Sequence, residues 1–286
     1  MVVRYCLNDN TAEVRMKKLV IAFAASVFVL SACMEKEKSD DVIQKAADGL
    51  KSIVAQVSDK TLSHEKNGYG QGTIVDEQNR PTGALDFNKK YSQYGAKAIN
   101  EDDEKIILTF DQGYENGFTE KILDTLKEKG VRAIFFLTGD YAEKNPDLIK
   151  RMIEDGHILG SHTQSHYSMP ELSADEIKDE LDTIYDYVKK HYGYEMTLLR
   201  PPMGEFSEFS LDQTNKAGYT TIMWSYAYRD WVTDDQPDKK EAANKLINAA
   251  HKGAIYLLHS VSETNAAVLG EVIDGIREKG FEFDKL

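Results

Sequence analysis

The sequence predicts an α/β domain built on a parallel sheet, and three observations carry that expectation. From Lys105 onward, short apolar runs alternate with longer amphipathic ones, and strand–helix alternation of this kind builds parallel sheets. Polar clusters rich in Asp, His and Arg follow the apolar runs, at the strand ends where such sheets carry their ligand sites. The chain has 286 residues, 41% of them hydrophobic, enough to bury a sizeable core without disulfides or structural metals. A closed or partly closed (β/α) barrel and an open doubly wound sheet both fit.

The elements follow in order. Residues 106–110 form an apolar strand. Residues 118–129 are helical, with Ile122, Leu123 and Leu126 on one face and Gly130 at the stop. Residues 133–137 form the next strand. Asn145 caps a helix that Pro146 opens and that runs through Ile153. Residues 157–160 form a third strand. Ser173 and Glu176 form a capping box for a long helix with Ile177, Leu181, Ile184 and Val188 inward. Leu198-Leu199 is a strand, residues 210–217 a helix, residues 219–224 a strand, residues 239–250 a helix, residues 254–258 a strand and residues 262–279 the last helix.

Upstream, the pattern weakens. Residues 42–57 fit an amphipathic helix with Ile43, Ala46, Leu50, Ile53 and Val54 on one side, and residues 58–90, rich in Gly, Asn, Asp and Lys, read as loop. At the N-terminus, Met16-Lys17-Lys18, an uncharged apolar run over residues 19–30 and Leu30-Ser31-Ala32-Cys33 follow one another. Basic, apolar, then small residues is the layout of a secretory signal. The run is too short for a spanning helix, which needs about 20 apolar residues. Cys33 sits as the lipidated cysteine does in the lipobox of bacterial lipoproteins, and Met16 is a plausible start. The expected organisation is a signal and lipobox over 1–33, a tether and polar segment over 34–94 and a catalytic domain over 95–286.

Charge excludes one class of partner. The net charge is −13, with 48 acidic and 35 basic residues, the opposite of a nucleic-acid footprint. Loss of residues 1–32 removes four basic and two acidic side chains and takes the charge to −15. Two cysteines exclude a disulfide scaffold and a cysteine-only zinc site, whereas seven histidines leave a histidine metal site open. No G-x-S-x-G elbow is present, against a serine hydrolase.

Five clusters carry chemistry: Thr109-Phe110-Asp111-Gln112-Gly113, Ser161-His162-Thr163-Gln164-Ser165-His166, Arg200-Pro201-Pro202-Met203-Gly204, Arg229-Asp230-Trp231 and Leu257-Leu258-His259-Ser260. His162 and His166, spaced H-x-x-x-H, can point two imidazoles at one divalent ion. Asp111 is a carboxylate at a strand end, suited to general-base work beside a cation. His259 suits proton transfer near neutrality. His64 and His191 read as solvated, His157 and His251 as structural.

In this order, the five clusters resemble the polysaccharide deacetylases, the NodB-homology family 4 carbohydrate esterases, over about residues 95–286. Asp111-Gln-Gly-Tyr-Glu-Asn-Gly117 and Tyr256-Leu-Leu-His-Ser-Val-Ser262 are similar to the spore-cortex branch, the muramic delta-lactam-forming de-N-acetylases. The resemblance implies a distorted, partly open (β/α) barrel and a divalent metal, zinc first, with cobalt or manganese as alternatives. It assigns Asp111 as base, His162 and His166 as metal ligands, and Arg200 as the partner that orients Asp111. It places the Met203 backbone N–H at the oxyanion and makes His259 the acid tuned by Asp230. Trp231 and Leu257 become the wall around the acetyl methyl, or else ordinary core. Position 112 departs from the family: most members have a metal-binding aspartate and the delta-lactam branch is expected to have asparagine, whereas this chain has Gln112, a neutral and longer donor.

The implied function is metal-dependent de-N-acetylation of peptidoglycan, on N-acetylmuramic acid lacking its stem peptide, by a monomer held to the outer face of the membrane through lipidated Cys33. The alternatives are an N-acetylglucosamine deacetylase acting on peptidoglycan or chitin-like oligomers, and a catalytically silent glycan-binding lipoprotein.

Overall fold

The structure is a computed structural model that describes residues 43–49 and 61–283. Residues 43–49 are helical, within the helix expected over 42–57. The rest of that helix, the signal-like segment and Cys33 lie outside the described residues. The compact unit that holds the site begins at Ser63.

Eight strands form one sheet in the order β2-β8-β6-β5-β4-β3-β10-β9. They are β2 (Ala96–Lys97), β3 (Ile107–Gln112), β4 (Ala133–Leu137), β5 (Ile158–Ser161), β6 (Leu198–Leu199), β8 (Thr220–Ile222), β9 (Tyr226–Ala227) and β10 (Ile255–His259). Every pairing in the sheet is parallel, and β2 and β9 remain as its two edges. The fold is therefore a partly open (β/α) barrel, one of the two architectures left open by strand–helix alternation. β3 and β4 are buried at every position, as strands covered on both faces must be.

The helices are α1 (Thr82–Tyr91), α2 (Thr119–Lys129), α3 (Gly139–Lys144), α4 (Pro146–Glu154), α5 (Ala174–Tyr192), α6 (Glu208–Lys216), α7 (Lys239–Asn248) and α8 (Glu263–Glu278). α2 ends at left-handed Gly130, φ 61°, and α5 starts in the Ser173/Glu176 capping box. One cap differs from expectation. Asn145 stands before Pro146 with no side-chain capping bond. Its Nδ2 instead donates to Tyr141 O at 3.0 Å, closing α3, a helix too short for the hydrophobic period to reveal.

The larger correction lies at residues 63–94, which read as loop and polar lead-in. β1 (Asn67–Gly68) pairs antiparallel with β7 (Glu205–Phe206), α1 buries Ala84, Phe87 and Tyr91, and β2 joins the main sheet beside β8. Residues 63–94 therefore belong to the same compact unit as the five clusters.

Candidate active site

The carboxyl ends of β3, β5, β6, β9 and β10 converge on one cleft. Its two lobes, of about 420 and 600 Å³, share Asp111, His162, His166, Trp231 and His259. β3 and β10 run parallel with His259 directly opposite Asp111, so adjacent strands deliver a carboxylate and an imidazole to one edge.

Arg200 fixes the first of these. It is completely buried, and each nitrogen of its guanidinium has a partner. Nε donates to Ile222 O at 3.0 Å, Nη2 to Met223 O at 2.9 Å, and Nη1 to Thr109 Oγ1 at 2.6 Å and Asp111 Oδ1 at 2.8 Å. The guanidinium also lies 4.4 Å from the Phe136 ring centroid. Burial alone would raise the Asp111 carboxyl, but Arg200, with His162 and His259, holds it below the usual carboxylate range. The second oxygen, Oδ2, stands 3.6 Å from His162 Nε2.

His162 Nδ1 meets Arg200 O at 2.8 Å. A carbonyl accepts only, so Nδ1 carries the hydrogen and the Nε2 lone pair faces the cleft. Burial pushes the His162 imidazolium down to about 4 against the pull of Asp111, which leaves the ring neutral at neutral pH. Burial lowers His166 as well, and the two ring centroids are 4.8 Å apart. The connecting loop is unusual, with Thr163 at φ 64° and His166 at φ 58°, a left-handed region that non-glycine residues seldom occupy. Thr163 Oγ1 accepts from His166 N at 3.1 Å, and buried Glu180 accepts from Ser165 N at 2.7 Å. Gly139 supports the same loop by donating to Thr163 O and Gln164 O; a Cβ there would meet the Gln164 side chain at 2.2 Å.

Gln112 is fully buried. Its Nε2 donates to Ser260 Oγ, and its Oε1 has no partner among the described residues. Those residues contain no group of three or more His, Cys, Asp or Glu side chains arranged to hold a metal. His162 and His166, two neutral imidazoles facing the cleft beside Asp111, nevertheless suit a borderline divalent ion, whereas the unsatisfied Gln112 Oε1 lines neither lobe.

The opposite wall is built around Asp230, also completely buried. Its Oδ1 meets His259 Nδ1 at 2.7 Å, while Oδ2 accepts from His259 N at 2.9 Å and from Asn265 Nδ2 at 2.5 Å. Tyr228 OH donates to Asn265 Oδ1. Burial opposes an imidazolium at His259, yet Asp230 and, further off, Asp111 raise it above the ordinary 6.5. Asn265, Tyr228 and Glu180 are partners that lie outside the five clusters. Asn265 lies in the first turn of α8, where its backbone N donates to the capping Ser262 Oγ at 3.0 Å.

Met203 sits in the turn Pro202–Gly204 at φ 59°, half-exposed at the rim of the larger lobe. Gly204 follows at φ 66°, where a Cβ would strike the Trp224 ring at 2.7 Å, so the turn requires glycine there. Trp231 is 50% exposed, with its ring 5.6 Å from that of His259, and Leu257 is buried; both line the larger lobe. Tyr69 and Gln71, from the segment read as loop, complete this wall. Tyr69 OH donates to Trp224 O at 2.6 Å, Trp224 Nε1 to Gln71 Oε1 at 2.9 Å, and Gln71 Nε2 to Ala227 O at 3.1 Å. Of the remaining histidines, His157 and His251 are buried and hydrogen-bonded, whereas His64 and His191 are exposed and stack on Phe209 and Tyr187.

The model of the polysaccharide deacetylase family matches residues 98–222. The peptidoglycan-N-acetylmuramic acid deacetylase PdaA of Bacillus subtilis is 43% identical over 229 residues, covering 79% of this chain and 87% of PdaA. The chain belongs to the polysaccharide deacetylase family. The solved structure of B. subtilis PdaA, a family 4 carbohydrate esterase, superposes with a TM-score of 0.74 at 41% identity, over 78% of this chain and 96% of that one. A peptidoglycan-N-acetylglucosamine deacetylase of Bacillus cereus is 32% identical over 63% of this chain and 66% of its own length. Membership makes the protein a hydrolase of non-peptide carbon–nitrogen bonds, on a fold of the deacetylase type.

Proposed function

We propose that the protein removes the acetyl group from N-acetylmuramic acid of peptidoglycan whose stem peptide has been cleaved off, and that the freed amine then condenses with the lactyl carboxyl, whose C–OH bond breaks as water leaves, to give muramic delta-lactam. One observation carries the hydrolytic reading: the register-paired Asp111 and His259 have their acidities driven in opposite directions. A base and an acid facing one cleft are what amide hydrolysis needs. The similarity to PdaA supports the choice of sugar.

A divalent ion, zinc first, held by His162, His166 and Gln112 Oε1, would supply a Lewis acid for the acetamide carbonyl and a more acidic water. The chain supplies the rest. Asp111, locked on one oxygen by Arg200, takes the proton of the attacking water on the other. The backbone N–H of Met203 donates to the oxygen that becomes negative, a contact of a kind worth about 3 kcal/mol in acyl transfer. His259, its Nδ1 committed to Asp230, gives the Nε2 proton to the departing nitrogen as the carbon–nitrogen bond breaks, and acetate leaves. Trp231 and Leu257 enclose the acetyl methyl.

Export as a monomeric lipoprotein anchored through Cys33 puts the enzyme on the same side of the membrane as its glycan. Mass spectrometry of defined peptidoglycan fragments tests the proposal. Metal-loaded protein is expected to strip acetyl from muramic residues of peptide-free fragments and leave glucosamine residues acetylated. Acetyl loss from glucosamine alone makes it an N-acetylglucosamine deacetylase, and no loss with zinc, cobalt or manganese makes it a silent binder.

A further inference from the structure

The two lobes of the cleft differ in charge. The smaller contains Asp140 beyond the shared residues, and the larger contains Arg229. Arg229 is the single lysine or arginine among the residues that line either lobe, in a chain with 13 excess negative charges. It immediately precedes Asp230, the anchor of His259, so its backbone is fixed beside the reaction centre.

The loop that follows is also fixed. Gln236 Nε2 donates to Asp230 O at 2.8 Å and Val232 O at 2.9 Å, while its Oε1 accepts from Ser262 Oγ at 2.6 Å. Arg229 Nη1 reaches Asp235 Oδ2 at 2.6 Å, with the two side chains 57% and 67% exposed. An ion pair this open to water contributes little, so the guanidinium can exchange Asp235 for a ligand carboxylate. A guanidinium presents a planar fork that matches a carboxylate in two parallel hydrogen bonds.

Building on the muramic reading above, we propose that Arg229 is a specificity-determining residue that binds the free lactyl carboxylate of the sugar undergoing deacetylation. The sugar then lies with its carboxylate in the larger lobe, away from Asp140. Amide linkage of that carboxyl to a stem peptide removes the charge and the match, and glucosamine never has it. Selection for peptide-free muramic acid thus acquires a physical cause in this chain.

The test measures kcat/KM for the metal-loaded wild type, Arg229→Gln and Arg229→Lys on three substrates. These are peptide-free muramic glycan, the same glycan with its lactyl carboxyl converted to a neutral methylamide, and an N-acetylglucosamine oligomer. Arg229→Gln is expected to lose about 10- to 100-fold on the free carboxylate, mostly through KM, to match wild type on the neutral methylamide, and like wild type to leave the N-acetylglucosamine oligomer acetylated. Arg229→Lys should recover part of the loss. An equal loss on both muramic substrates, or none on either, overturns the role of Arg229 while leaving the deacetylase reading intact. A wild type inactive on the muramic glycan overturns both.

Discussion

The two walls of the cleft solve opposite problems with the same device. On one, a buried cation, Arg200, holds Asp111 as an anion; on the other, a buried anion, Asp230, favours the cationic form of His259. Both held groups stand at the same level of adjacent parallel strands, so the sheet sets their separation while the second residues set their protonation. Burial acts against the charged form in each case, and in each the surrounding opposite charges, led by one well-bonded partner, together outweigh it. The walls differ in stiffness. The Arg200 side chain is bonded to two strands, β3 and β8, and to the segment after β8, whereas Asp230 lies on a loop and relies on Asn265 at the start of α8.

Breaking the Asp111 wall has the largest expected effect. Asp111→Asn keeps the shape, removes the base and should lower turnover by about 10²- to 10⁴-fold, measured as acetate release; turnover near wild type contradicts the assignment. Arg200→Met acts on the same wall through stability. It strands Asp111 in a buried site, a change that costs about 3–5 kcal/mol when one partner of such a pair is lost, and thermal unfolding should show it; an unchanged midpoint contradicts the pairing. Gln112→Ala is the smallest perturbation. It should weaken zinc binding in a titration without loss of fold, and unchanged affinity removes Gln112 from the ligand set.

Much of this was legible because the chemistry sits at strand ends. Asp111, His162, Arg200, Asp230 and His259 each follow an apolar run, and parallel topology alone brings such positions together. The supports were harder to read. Asn265 is a polar residue in the first turn of a helix, 35 positions from the Asp230 it serves, and nothing local marks that pairing. Residues 63–94 misled for a different reason. α1 is polar overall, and its buried positions 84, 87, 88 and 91 follow the helical period with only three apolar side chains. β1 and β2 have two residues each, too few for any alternation. The wall formed by Tyr69 and Gln71 therefore appears only once the chain is folded.

The most direct test of the central claim, that Asp230 keeps His259 ready to donate a proton, is an NMR titration of His259 in the metal-free protein and in its Asp230→Asn variant. With its pKa raised, His259 is protonated below that value and loses the proton as pH rises through it. The wild-type ring should therefore titrate above 6.5, and the variant, with burial opposed only by Asp111, clearly below the wild type. A wild-type value at or below 6.5, or one that Asp230→Asn leaves unmoved, would contradict the division of acid and base between the two walls.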